Sequence, residues 1–449
     1  MALLPRRVVV GSAFAAALIG LAGCDTSPQQ ASGGDVDLSL YRNVLDRVRS
    51  SYVDPVSDDQ LVANSLKGMV TALDPHSDYM TESEYQDMLD DNSGEFAGIG
   101  AELTRDESHP KVISPIEDTP AARAGIKPGD VILKIDGKLT DGLSLKDAVD
   151  QLRGPAGTQV RLTIGRRDEK PFDVTLIRAV IHVASVKWEL EPKHIGYARI
   201  TTFAEKTQQE LTSALYQMKQ QSGGQLDGFV LDLRNDPGGL LDEAVDVAGD
   251  FLDGGTVVST RGRDPDDNHT YHAPGTGDRL RGVPVVVLIN GASASASEIV
   301  AGALQDRHRA EIIGTRSFGK GSVQTIIPFD GKGALRLTTA RYYTPSGRSI
   351  QAQGIVPDDF VAPPANQRTA DEEMLREADL RGALAAPNGG DARTAAAHPR
   401  PGDEVSDEAA SIDPSIIGTA QDYQLAKALA TVRALEEKPL ARTQDPGSR

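Results

Sequence analysis

VVVLINGASASASEIV, residues 285–300, runs from a continuous apolar stretch through a turn of small residues into a helical pattern. Val285 to Ile289 show no polar alternation, so a strand here needs cover on both faces, as in the sheet of an α/β domain. Asn290 and Gly291 then break the run, and helical spacing resumes over Ser297 to Leu304. Phe229 to Leu233 is a second such run, followed by a helical pattern from Leu241 to Phe251, and Ile312 to Gly314 is a further short strand. Strands and helices alternate from Val183 to Ala362, which predicts an α/β domain.

Working outward, the pattern upstream is different. Gly98 to Leu103, Lys111 to Ile113, Val131 to Ile135, Val160 to Ile164 and Phe172 to Leu176 are short β-rich runs separated by Gly, Pro or Asp. One amphipathic helix, Leu145 to Leu152, interrupts them. Residues 94–180 therefore read as a small β-rich domain, and 36–93 as a helical region with breaks at Asp54-Pro55 and Asp74-Pro75. Beyond the α/β domain (181–362), residues 363–414 are rich in Ala, Pro, Gly, Asp and Glu, a composition that predicts disorder. In residues 415–449 a last helical pattern, Leu425 to Leu435, has an apolar face able to dock or pair.

Acidic residues outnumber basic ones, 65 to 47, for a formal charge of -18. Such a chain is repelled by nucleic-acid phosphates, and no Lys/Arg cluster offsets the repulsion, so nucleic-acid binding is excluded. A single cysteine rules out disulfides within the chain and cysteine-rich zinc sites. No cofactor and no metal is expected. That cysteine, Cys24, has another context. Arg6 and Arg7 precede an uncharged stretch, Val8 to Gly23, ending in Leu-Ala-Gly before Cys24. The stretch is short of the roughly 20 apolar residues of a membrane-spanning helix and reads as a secretory signal. Leu21-Ala22-Gly23-Cys24 resembles the bacterial lipobox, which implies a signal peptide of residues 1–23, lipidation of Cys24 and a polar tether, 24–35. Asp25 after the cysteine resembles the signal that keeps some Gram-negative lipoproteins at the inner membrane. A periplasmic, lipid-anchored protein is the expectation.

The turn after Ile289 could carry chemistry. Ligands in open α/β sheets sit at the carboxyl ends of strands, and a serine there lies beside helix N-terminal amides that can stabilise an oxyanion. Taken alone, the three serines also read as competitors to cap one helix, with Ser293 or Ser297 sufficient. The Gly-x-Ser-x-Gly elbow is absent. His308 follows Ser295 by thirteen positions, about 20 Å along a continuous helix, too far to act as its base. Lys320, in Ser317-Phe318-Gly319-Lys320-Gly321-Ser322-Val323-Gln324, is flanked by glycines that let backbone pack around its stem. Burial in a dry pocket would lower its pKa enough for a serine–lysine pair. Gln324 could orient the amine if the segment bends, since in an extended strand the two Cα atoms lie about 13 Å apart. A phosphate cradle fails because Gly321, not Ser or Thr, follows Lys320.

NGASASASEIVAGALQD and GTRSFGKGSVQ resemble the carboxyl-terminal processing (tail-specific) serine proteases. So do LDLRNDPGGLL (231–241), RLTTARYYTPSGRSIQAQGIVPD (336–358), LDPHSDYM and GEFAGIGAEL. The resemblance runs from about Val36 to Asp358. It implies a multidomain α/β fold in which a crotonase/ClpP-like serine protease core carries an inserted PDZ domain. It implies Ser295 as nucleophile, Lys320 as general base and Gln324 as the residue that orients the lysine. The amide of Ala296 and a glycine amide, Gly238 or Gly239, match its oxyanion hole. Glu298 and Asp306 also match family positions and read as structural partners. A PDZ domain adds a substrate strand and captures the terminal carboxylate on backbone amides. Gly98-Ile99-Gly100 would be that loop, supported by the PDZ-like entry Gly125-Ile126-Lys127-Pro128-Gly129-Asp130. Arg153, after the PDZ helix, matches an arginine thought to couple substrate arrival to the protease; by itself it reads equally as a solvated surface charge.

Three readings follow. The first is a serine endopeptidase acting on proteins with free, unstructured, apolar C-termini. The others are an inert PDZ adaptor and a crotonase-like enzyme for a small acyl substrate. Keeping Ser295, Lys320 and Gln324 together favours the endopeptidase over the adaptor, and a tail-binding domain favours it over the acyl enzyme. The oligomer is left open, with a homodimer or a regulating adaptor lipoprotein as the partners to consider.

Overall fold

The computed structural model describes residues 37–106, 108–275, 277–369, 375–387 and 412–437; the signal stretch and Cys24 lie outside them. The described residues up to Leu61 belong to one compact unit and those from Val62 onward to a second. In the first, helix Ser39–Ser51 ends near Arg49, whose Nε donates to Asp58 Oδ1 at 2.7 Å. Among the described residues no helix is long and apolar enough to cross a membrane.

The second unit is organised on a six-stranded sheet. Its order is Val186–Glu191, Ile195–Ile200, Gly228–Asp232, Val285–Ile289, Glu311–Gly314 and Asp359–Phe360. The first pair is antiparallel and all later pairs are parallel. The continuous apolar runs are explained by cover on both faces. Phe229, Leu231, Val285, Val287 and Ile289 point into one core, filled from helices Thr207–Gln221, Leu241–Gly249 and Ala296–Asp306. Val230, Val286, Leu288 and Ile313 point into another, closed by Leu425, Ala428 and Val432 of helix Tyr423–Glu436. The final helix therefore docks, and each large aliphatic it buries contributes about 1.5–3 kcal/mol. Its approach is close: a Cβ on Gly228 would stand 2.0 Å from Val432 Cγ1.

The β-rich region is an antiparallel sheet, Ala101–Asp106, His109–Pro115, Val131–Ile135, Gln159–Gly165 and Phe172–Ile177, with Lys138–Leu139 at its side. Helix Leu145–Leu152, capped by Ser144 through the Asp147 N–H, buries Ala148 and Leu152 against Ile132, Val160 and Leu162. Glu95–Gly98 leaves this sheet and pairs with Ala179–His182.

The structure departs from expectation in two places. The region to residue 93 is helical, but Asp78–Met80 is a strand on Ala334–Tyr343. Three residues are too few to show a period of two. And the segment expected to be disordered from residue 363 is packed in part: Ala365–Gln367 and Glu377–Asp379 form short helical turns, and the Glu377 side chain is buried. Its composition hides this because the two helical turns bury polar side chains, Gln367 and Glu377.

Candidate active site

Ser295 is the N-cap of helix Ala296–Asp306, at the carboxyl end of the Val285–Ile289 strand. Its φ of 53° and ψ of -111° lie where a non-glycine residue is strained. The turn that holds it there is tied to the neighbouring turn after Asp232. Ser293 Oγ donates to Leu233 O (2.7 Å), Ser297 Oγ to Asp236 O (3.0 Å), and the Ala294 N–H to Asp236 O (3.0 Å). Asn235 and Asn290 bond to each other through side chain and backbone. The hydroxyls of Ser293 and Ser297 are thus engaged by backbone carbonyls across the turn.

Gly238 packs against that serine. A Cβ there would lie 2.7 Å from Ala294 O and 2.9 Å from both Ala296 N and Ser295 Cβ, so only glycine fits. Its N–H donates to Asp236 Oδ1 at 2.8 Å. Phe203 bonds to Gly238 O and to the Leu240 N–H, which turns the N–H of Gly239 toward the opposite edge. Asp236 is buried, Oδ2 has no hydrogen-bond partner among the described residues, and desolvation holds its pKa well above the carboxylate range.

Glu298, fully buried one turn into the helix, connects the serine to the lysine. Its Oε2 accepts from the N–H groups of Ser295 and Lys320, both at 2.9 Å. Oε1 accepts from the Gly319 N–H at 2.7 Å and from Ser317 Oγ. Desolvation raises its pKa to about 7, against those four donors, which favour the anion. Glu298 reads as a structural partner at a position matched by the resemblance; its contacts place it at the junction of both loops.

Lys320 is partly buried. Its pKa is lowered, first by desolvation and then by the Arg336 cation, while Glu377, Glu298 and Asp74 oppose the shift. At Gln324 the helical turn that would bring its side chain to the lysine is not present. Its Nε2 donates to Ser322 Oγ (3.0 Å) and Thr338 Oγ1 (3.2 Å), and no bond to Lys320 is among the described contacts. The segment is strand from Ser322 onward, with a bulge between Val323 and Gln324, so the two residues do not share a helical turn. His308 follows the far end of a continuous helix, away from Ser295.

In the β-rich region, Gly98, Ile99 and Gly100 line a small cavity of about 80 Å³ with Phe96, Leu103, Val149 and Leu152, and Arg153 at its edge. Gly100 has φ +76°, and a Cβ there would meet Thr119 Cβ at 2.3 Å. Arg153 is not a solvated charge. Its Nη1 donates to Asp87 Oδ1 at 3.1 Å, Asp90 lies 3.8 Å away, and the guanidinium stands 5.2 Å from the Phe96 ring centre.

Residues 194–361 match the model of peptidase family S41, and residues 111–166 match that of the PDZ domain. The chain is 51% identical over 348 residues to the carboxy-terminal-processing protease of Bartonella bacilliformis, covering 77% of this chain and 80% of the relative. It is 34% identical over 330 residues to the carboxy-terminal processing protease CtpA of Bacillus subtilis, covering 73% and 70%. Among solved structures, the photosystem II D1 C-terminal processing protease aligns at 29% identity and a TM-score of 0.42, covering 76% of this chain and 91% of that one.

Proposed function

The chain belongs to peptidase family S41, as a C-terminal processing serine peptidase with a PDZ domain, and from that premise we propose a serine–lysine mechanism directed at free, unstructured, apolar C-termini. The observation that carries the proposal is the Glu298 carboxylate, which holds the backbone of the Ser295 turn and of the Lys320 loop on one buried group. Neutral Lys320 takes the Ser295 hydroxyl proton as Oγ attacks the scissile carbonyl. The resulting ammonium returns that proton to the leaving amine, and water then hydrolyses the acyl-enzyme. The Ala296 amide, at the N-terminus of a helix, and the Gly239 amide are the oxyanion donors in this reading, because the Gly238 N–H is engaged by Asp236. Gln324, in this reading, supports the surroundings of Lys320 through Thr338, whose hydroxyl also bonds Asp74. The PDZ cavity, with its apolar lining and glycine loop, supports capture of a carboxylate behind apolar side chains.

One unfolded reporter ending in free Ala-Ala, amidated Ala-Ala or Asp-Asp tests the specificity. Amidation removes the anion that the loop amides bind, and Asp places a charge in an apolar pocket. Both changes are expected to slow cleavage strongly, with matching changes at the N-terminus neutral. Equal rates for the three would remove tail selection from the proposal, and binding without cleavage of any of them would favour an inert adaptor.

We include in the proposal cleavage before Cys24, its lipidation, and periplasmic envelope proteins as substrates. Cys24→Ser is expected to move the protein from the membrane to the soluble fraction. Unchanged membrane retention would remove the lipid anchor.

A further inference from the structure

We propose that His76 and Glu377 are positioning residues for Lys320, clamping the lysine loop at atoms that Glu298 does not bond. The proposal rests on Lys320 being the general base. Glu377 lies outside every motif that marks the protease, and its side chain has no exposure. Its N–H donates to Phe318 O at 3.2 Å. Its Oε1 accepts from Gln351 Nε2 at 2.9 Å, and Gln351 Oε1 accepts the Gly321 N–H at 3.0 Å. A Cβ on Gly321 would stand 2.3 Å from Gln351 N, so glycine there admits this contact. The Ala352 N–H completes the grip on Gly319 O at 2.8 Å. The Glu377 carboxylate thereby fixes the Gly321 side of Lys320 through Gln351, while the backbone N–H groups of Glu377 and Ala352 hold Phe318 and Gly319 on the other side.

The second oxygen of Glu377 bonds to His76 Nε2 at 2.7 Å. His76 belongs to the turn Asp74–Ser77, where Asp74 Oδ1 accepts from the N–H groups of both His76 and Ser77 at 2.9 Å. The turn reaches the lysine's surroundings twice more. His76 O accepts from Arg336 Nε at 3.0 Å, and Asp74 Oδ1 accepts from Thr338 Oγ1 at 3.1 Å, the hydroxyl that Gln324 also bonds. The charges acting on Lys320 are therefore Arg336, Glu377, Glu298 and Asp74, and the turn supplies or holds three of them. Glu377 favours the ammonium and Arg336 opposes it, so the clamp sets the basicity of the amine as well as its place.

Glu377→Gln keeps the shape and can keep both hydrogen bonds, since Gln accepts from Gln351 and His76 can change tautomer to accept from it. It removes only the charge. The acid limb of the kcat/KM profile for the Ala-Ala reporter is expected to move to lower pH by about 0.5–1 unit. His76→Ala leaves a buried carboxylate oxygen without its partner and is expected to lower kcat roughly tenfold or more with KM little changed. His76→Gln, which returns a donor at the same reach, is expected to recover most of that loss. A purely structural role predicts lower thermal midpoints in these variants with the wild-type pH limb and kcat, and that result would overturn the proposal. A wild-type profile without a lysine limb would instead overturn the Lys320 reading beneath it.

Discussion

Ser295→Ala and Lys320→Ala are each expected to yield a folded protein that cleaves the Ala-Ala reporter roughly 10⁴- to 10⁶-fold more slowly. Nucleophile and base act as one unit, so the double variant should lose little more than either single one. The neighbouring serines separate chemistry from architecture. Ser293→Ala and Ser297→Ala each remove a bond that laces the serine turn to the Asp232 turn, and should cost about 1–2 kcal/mol of stability with activity retained in the folded fraction. Lys320 makes a second measurement available. Its folded pKa is depressed below the ordinary 10.5, chiefly by desolvation. Between the depressed value and 10.5 the unfolded chain binds more protons than the native one, so wild-type stability rises with pH across that window. Lys320→Met should therefore be more stable than wild type at neutral pH, with the difference vanishing toward pH 10.5. A Ser293→Ala variant without activity, or a pH–rate profile controlled by one histidine, would sink the serine–lysine assignment.

What the sequence could convey about this site depended on how local each cause was. Burial of Val285 to Ile289 on both faces writes itself as an unbroken apolar run, so the sheet and the helix after it were readable. Ser295 was readable only through the resemblance, because three serines near a helix start all satisfy a capping rule; what separates them is which carbonyl each hydroxyl reaches across the turn. The geometry around Gln324 stayed open in the sequence because four residues' spacing is close in a helix and distant in a strand, and the glycines before it gave no direction; the segment is strand. His76, Gln351 and Glu377 were invisible as a group. They lie up to 301 positions apart, and Glu377 sits in a stretch whose composition reads as solvated. Arg153 read equally as a surface charge and as a coupling residue because its partners, Asp87 and Asp90, lie more than sixty positions upstream, on helix Glu82–Ser93.

Asp422 is the position where a single exchange outside the catalytic residues is expected to destabilise the core most. Arg234, with no exposed surface, extends from the end of the Gly228–Asp232 strand between two buried carboxylates. Asp232 Oδ1 accepts from its backbone N–H (3.0 Å) and Nε (2.9 Å), and Tyr197 OH donates to Asp232 Oδ2 at 2.9 Å. Asp422 receives Nη1 at 3.0 Å and Nη2 at 2.6 Å, and its Oδ1 also caps the final helix by accepting from the Leu425 N–H. Burial disfavours the Asp422 anion, but the Arg234 guanidinium overrides this and holds its pKa below the usual range. Breaking such a pair leaves a desolvated charge and costs about 3–5 kcal/mol, and loss of the cap adds about 1 kcal/mol. Asn is also a good N-cap, so Asp422→Asn should lose the first amount and Asp422→Ala both. The chain has one tryptophan, Trp188, on the edge strand of this sheet and packed against its core, so its fluorescence reports this transition separately from the PDZ domain. Arg234 is followed by Asn235, which bonds the serine turn, so loosening the final helix should also slow cleavage in protein that is still folded. An Asp422→Asn variant with the wild-type denaturant midpoint by Trp188 would show that the cap, and not the ion pair, holds the helix to the sheet.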